Sequence, residues 1–211
     1  NITTILQQGH ELGHAFHYWM IRDLPTVQTE FPMTLTEMAS TFDEAAIRLY
    51  LLNHAESTEE RFEILWQELR SVANFLMNTM VRMDFELAFL KERQNGVVSA
   101  KRCVELMREA WRNWYGDSTE GADDYLWAYK LHYYKTDQLI YNYPYSVGYL
   151  LSQGLIYEFK HRKENFMPFY KAMLRDTGRL TLDELVAKHF QADATSEKFW
   201  EQCMEAPLDF V

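Results

Sequence analysis

Apolar residues return every three or four positions along nearly the whole chain, and no stretch keeps the strict alternation that a half-buried strand requires. A chain patterned this way can bury its apolar surface only by packing helix on helix, so an all-α fold with little or no sheet is expected. Breakers are few, eight glycines and five prolines in 211 residues, which makes the helices long and the joints easy to find. The length suffices for one sizeable core or a pair of helical subdomains. A first helix reads from about residue 3 to 20, with Ile5, Leu6, Leu12, Phe16 and Trp19 on its packing side. A loop with Pro25 and Pro32 leads to a second, which turns Leu35, Met38, Phe42, Ala45, Ala46 and Leu49 inward and ends near residue 55. The third opens at the capping box S-T-E-E from Ser57 and runs unbroken to about residue 93, before Asn95-Gly96. A fourth lies between Ser99 and Gly116, and "GDSTEGADD" is a loop. From 125 to 145 tyrosines crowd together and Pro144 interrupts, so irregular backbone is expected there. Helices near 146–161, 164–175, 182–190 (capped by Thr181 and Glu184) and 197–205 complete the chain.

A formal charge of −10 argues against a nucleic-acid or anionic-membrane partner, since either needs a basic surface to displace counterions. No run of eighteen apolar residues exists to span a membrane, and no segment has the layout of a signal peptide. Cys103 and Cys203 sit in helical runs without metal-ligand spacing and form no disulfide framework, so the expected home is the reducing cytoplasm. The chain enters a helical pattern almost at Asn1, which suggests a piece of a longer protein. Aromatic residues, 15% of the chain, suggest that any cleft is lined by rings.

The chemistry concentrates in "GHELGHAFHYWM", residues 9–20. His10-Glu11-Leu12-Gly13-His14 fits H-E-x-x-H; on a helix the two imidazoles lie about 40° apart around the axis and about 6 Å apart along it, so both reach one ion. Glu11, one step round, stands beside the ion, where a base would take a proton from an activated water. Alone, the pentapeptide leaves open a second reading, a packing helix with hydrogen-bonded histidines. His17 shares a face with His10 but lies about 10 Å further along the axis, so it belongs to a second shell or to packing. Gly13 inside a helix costs about 1 kcal/mol against alanine and suggests a close approach by backbone or substrate.

The best third donor is Glu37 in "TEMASTFDE", where Glu37, Ser40, Thr41 and Glu44 share one helical face. Glu44 could accept the free N–H of a ligand histidine and fix its tautomer. Asp23, Glu30 and Asp43 are weaker donors. Two histidines and one glutamate leave an open tetrahedral position, the arrangement that hydrolyses rather than staples, and the donor types favour Zn2+ over magnesium or calcium.

"GHELGHAFH" followed by "EMASTFDE", then "FLMNTMVRMDFE", "LHYY", "YNYPYSVGYLL" and "TSEKFWEQCMEAPLDF", resembles the oligoendopeptidase F branch of the M3, thimet-oligopeptidase-like, metallopeptidase family over essentially the whole chain. The resemblance implies a multi-helix zincin-type catalytic domain, the C-terminal part of a zinc endopeptidase that cleaves short peptides in a deep channel. It implies one Zn2+ per chain held by His10, His14 and Glu37, Glu11 as general base and Glu44 as a second-shell partner. The zinc site would occupy residues 1–55 and the tyrosine-rich substrate segment 125–160. His132 and Tyr145 would assist catalysis, with Tyr141, Tyr143 and Tyr134 binding substrate. Two features depart from the family pattern: the spacing from His132 to the Y-x-Y-x-Y cluster is about two residues longer, and Pro144 lies inside it. Tyr145, anchored by "SVGYLL", is favoured over Tyr143. The region that precedes the H-E-x-x-H helix in the family, and would complete the cleft, is missing. A non-catalytic metal-binding or scaffold module, and a zinc hydrolase of a non-peptide substrate, stand as alternatives.

Overall fold

The helical period is realised almost everywhere in the structure, a computed structural model that describes residues 1–135 and 140–208, with side chains described to residue 205. Among the described residues ten α-helices follow one another: α1 (Ile2–Ile21), α2 (Met33–His54), α3 (Thr58–Val72), α4 (Thr79–Arg93), α5 (Ala100–Tyr115), a single turn α6 (Leu126–Tyr129), α7 (Tyr143–Arg162), α8 (Phe166–Asp176), α9 (Leu182–Phe190) and α10 (Glu197–Leu208). Among the described residues there is no strand, so the fold is all-α.

Local chemistry explains most of the boundaries. Asn1 caps α1 by accepting the Thr4 N–H at 2.9 Å. Thr181 and Glu184 form the expected reciprocal capping box of α9. At α3 the box is displaced by one residue: Ser57 Oγ accepts from the Glu60 N–H, while the Glu60 carboxylate accepts from the Glu56 N–H. Pro144 does not delay α7 but sits in its first turn, where a missing N–H leaves no helical bond unmade. The third helix, expected as one unbroken run, is interrupted by a π-helical stretch at Ala73–Asn78, and Thr79 Oγ1 there bonds the Asn74 carbonyl at 2.9 Å.

The chain forms two compact units, one of Asn1–Leu69 with Val147–Val211, the other of Arg70–Ser146. In the first, Met38 and Phe42 of α2 meet Leu155 of α7, Tyr170 and Met173 of α8 and Phe199 of α10. Each such fully buried apolar side chain contributes about 1.5–3 kcal/mol. In the second, α4 and α5 pack through Val81, Phe85, Cys103, Leu106 and Met107, with Leu126 of α6 closing the cluster. Both cysteines are buried free thiols.

The packing face of α1 differs from the expected one. Leu12 is 64% exposed and Trp19 59%, and Ile5 is also exposed; the buried stripe is Leu6, Gly9, Gly13, His17 and Ile21. Small residues, not large ones, bring α1 onto α2. A Cβ at Gly13 would lie 2.6 Å from Ser40 Cα and 2.7 Å from the Ala39 carbonyl oxygen, so the two backbones touch there and only glycine fits.

Candidate metal centre

The contact between α1 and α2 brings one turn of each helix face to face at the positions that carry nitrogen and oxygen donors. His10 Nε2 lies 3.3 Å from Glu37 Oε2, and His14 Nε2 lies 3.6 Å from the same oxygen. One donor atom from each residue falls within 4.8 Å of the others. A tetrahedral ion with bonds of about 2.0–2.2 Å separates its donors by about 3.3–3.6 Å, so the residues present fit a zinc-sized cation. The two imidazoles meet edge-on, with centroids 5.0 Å apart and planes at 86°. Ser40 Oγ donates to Glu37 Oε2 at 3.1 Å and fixes the carboxylate rotamer. Gly148 of α7 lies against Glu37, where a Cβ would approach Glu37 Cβ to 3.1 Å.

The other nitrogen of His10, Nδ1, faces Glu44 Oε2 at 3.4 Å. In the neutral ring this favours the tautomer with its proton on Nδ1 against Glu44, which leaves Nε2 as the nitrogen able to donate to a metal. Burial alone would lower the pKa of His10, but hydrogen bonds and charge from Glu37 and then Glu44 outweigh it and push the value up to about 9. For Glu37 burial works against the charge, yet the His10 hydrogen bond and the nearby imidazoles hold its carboxyl below the usual range. The cluster therefore collects positive charge. Glu11, exposed on α1, lines a hollow of about 240 Å³ with His10, Glu44, Gln7 and Gln67.

Behind Glu44 stands a set of residues that the sequence reading passed over. Glu44 Oε1 bonds Arg48 Nη2, and Arg48 Nη1 bonds Glu68 Oε2. Glu68 Oε1 accepts from the Tyr149 hydroxyl at 2.8 Å. The available signal was faint: Arg48 lies four residues after Glu44, and Glu68 lies four after the buried Ile64, on the packing stripe of α3.

His17 turns away from the donors. It is 1% exposed, stacks on Phe31 at 4.2 Å and bonds Thr177 Oγ1 at 2.9 Å through Nε2, and burial drives its pKa down to about 4. Of the weaker donors, Asp23 pairs with Arg175 at 2.6 Å, and Asp43 is held up at about 6 by burial.

In the second unit His132 Nε2 lies 3.3 Å from the Tyr145 hydroxyl, and the Tyr141 ring stands 5.2 Å from the imidazole. Burial first, then the charges of Arg82, Lys130 and Lys135, push the His132 pKa down to about 4. Tyr143 and Tyr134 do not join this group: both are exposed, and Tyr134 donates to the Ala128 carbonyl at 3.0 Å. Within the 125–160 segment, residues 136–139 lie outside the described residues.

The pattern that defines peptidase family M3 matches residues 6–206. Oligopeptidase PepF of Bacillus subtilis is 24% identical over 180 residues, covering 82% of this chain and 26% of that protein. The chromosomal oligoendopeptidase F of Lactococcus lactis subsp. cremoris is 25% identical over 171 residues, covering 77% of this chain and 28% of its own length. The chain thus spans little more than a quarter of these curated relatives. The crystal structure of oligoendopeptidase-F from Enterococcus faecium superimposes with a TM-score of 0.73 at 19% identity, over 99% of this chain and 38% of that one, which shows the shared fold. With nearly its full length matched and its relatives drawn from the oligoendopeptidases F, the chain belongs to peptidase family M3, on the oligoendopeptidase F-like side.

Proposed function

We propose that this chain carries the metal-binding and proton-transfer centre of a zinc-dependent oligopeptidase that hydrolyses short peptides. The observation that carries the reading is the convergence of His10 Nε2, His14 Nε2 and Glu37 Oε2 from two touching helices, with Glu44 on the far nitrogen of His10. Zn2+ bound there supplies a Lewis acid that acidifies water and polarises a scissile carbonyl. Glu11 takes a proton from the attacking water, whose oxygen bonds the carbonyl carbon. The same carboxyl returns the proton to the nitrogen as the C–N bond breaks. Glu44 keeps His10 in the tautomer that presents Nε2. For His132 and Tyr145 we propose a part in holding the peptide carbonyl, from the chemistry of the pair: a neutral imidazole beside a phenol at 3.3 Å places two hydrogen-bonding groups of the kind that stabilise a developing oxyanion. Tyr141 would flank that carbonyl through its ring.

Elemental analysis of the purified chain beside Glu37→Ala, with turnover of a quenched fluorescent peptide on the same samples, tests the reading. About one zinc per chain, lost in the variant, together with chelator-sensitive cleavage is the expected result. Zinc without cleavage would leave a metal-binding module; no zinc after reconstitution would overturn the assignment.

A further inference from the structure

The residues behind the metal centre form a line running away from it along α2 and into two more helices. Glu44 and Arg48 stand one turn apart on α2, Glu68 comes from α3 and Tyr149 from α7. Arg48 is 2% exposed and Glu68 3%, so both charges are desolvated and each needs its partner. Tyr149 is buried as well, and its hydroxyl fills the oxygen of Glu68 that Arg48 leaves open.

Arg48 offers one Nη to each of two carboxylates, Nη1 to Glu68 and Nη2 to Glu44. Glu68, satisfied by Arg48 and Tyr149, is inward and closed. Glu44 meets Arg48 with one oxygen and turns the other to His10 Nδ1 at 3.4 Å, so one carboxylate joins the guanidinium to the imidazole. If Glu68 were neutral, Arg48 would be drawn more strongly to Glu44 and would pull its charge and its rotamer away from His10. The imidazole would then lose the acceptor that raises its basicity as a ligand.

We propose that Glu68, acting through Arg48, is a positioning residue that sets how much negative charge Glu44 offers to His10, and so sets the affinity of the His10, His14, Glu37 centre for its metal. This deepens the zinc reading and rests on it. Tyr149 supports the arrangement by holding Glu68 in place.

The test is zinc affinity, measured by competition with a chromophoric chelator, in wild type, Glu68→Gln, Glu44→Gln and the double variant. Ile64→Val, a packing loss on the same helix, serves as the control, and thermal unfolding of the metal-free forms matches their stabilities. Glu68→Gln is expected to weaken zinc about tenfold, Ile64→Val to leave it unchanged, and Glu68→Gln to add nothing once Glu44 is already glutamine. Wild-type affinity in a folded Glu68→Gln, or a full additional loss in the Glu44→Gln background, overturns the proposal. Should Glu68→Gln not fold, Tyr149→Phe enters the same cycle, with an expected loss of about threefold that Glu44→Gln abolishes. A wild type that takes up no zinc overturns the metal reading itself and this inference with it, an outcome separate from unchanged affinity in the variant.

Discussion

His10 and His132 carry the same imidazole into opposite surroundings. The first unit presents His10 with Glu37 on one nitrogen and Glu44 on the other, and the pKa rises to about 9 although burial opposes it. The second presents His132 with Arg82, Lys130 and Lys135, and burial and charge act together to bring it down to about 4. One site gathers positive charge; the other holds its ring neutral near pH 7, beside a phenol. What separates a ligand histidine from a hydrogen-bonding one is thus the sign of the second rank of side chains, which no count of histidines reveals.

The largest effect that would break the contrast lies at Glu11. Glu11→Gln is expected to keep stoichiometric zinc while lowering peptide turnover about 10²–10⁴-fold, as read from single-turnover kinetics. Equal loss of metal and turnover would make Glu11 a ligand rather than a base. Next comes Tyr145→Phe, expected to lower kcat about 10²–10³-fold with zinc content untouched; a variant with wild-type kcat would reduce the His132 pair to packing.

The acid limb of stability sharpens the comparison further. His17 and His132 both titrate near 4 when folded and near 6.5 when unfolded, so between these values the unfolded chain binds more protons and stability falls as pH is lowered. For the fully buried His17 the loss is on the order of 3 kcal/mol by pH 4. Thermal melts of the wild type against His17→Gln from pH 7 to 4 should show a shallower slope in the variant; parallel slopes would mean that His17 is not held neutral.

The smallest effect expected is that of Gly13→Ala, a destabilisation of about 1–3 kcal/mol from the clash with the α2 backbone, accompanied by weaker zinc binding. Denaturant melts would show it, and a variant as stable as the wild type would mean that the helices do not touch there.

The donor set was legible because it is written at helical spacing: His10 and His14 four apart, and Glu37, Ser40, Thr41 and Glu44 on one face of the next helix. The all-α class followed from the same periodicity. The packing face of α1 was legible only in part, as at Gly13, whose cost inside a helix pointed to a close approach; periodicity rewards Leu12 and Trp19 for being large, whereas the helix docks through Gly9 and Gly13, which hydrophobic patterns score as gaps. The Arg48, Glu68, Tyr149 line was hidden for another reason: its partners come from three helices, and their proximity exists only once the chain has folded. The π-helical stretch at Ala73–Asn78 left no breaker residue to announce it.

The backbone contact at Gly13 has a consequence for how this centre tolerates change. Where two helices are spaced by side chains, every core substitution alters their separation. Here main chain rests on main chain, and the gap between the histidine helix and the glutamate helix is gauged as by a closed calliper. The core around Phe42 and Tyr170 can be repacked while His10, His14 and Glu37 keep their spacing.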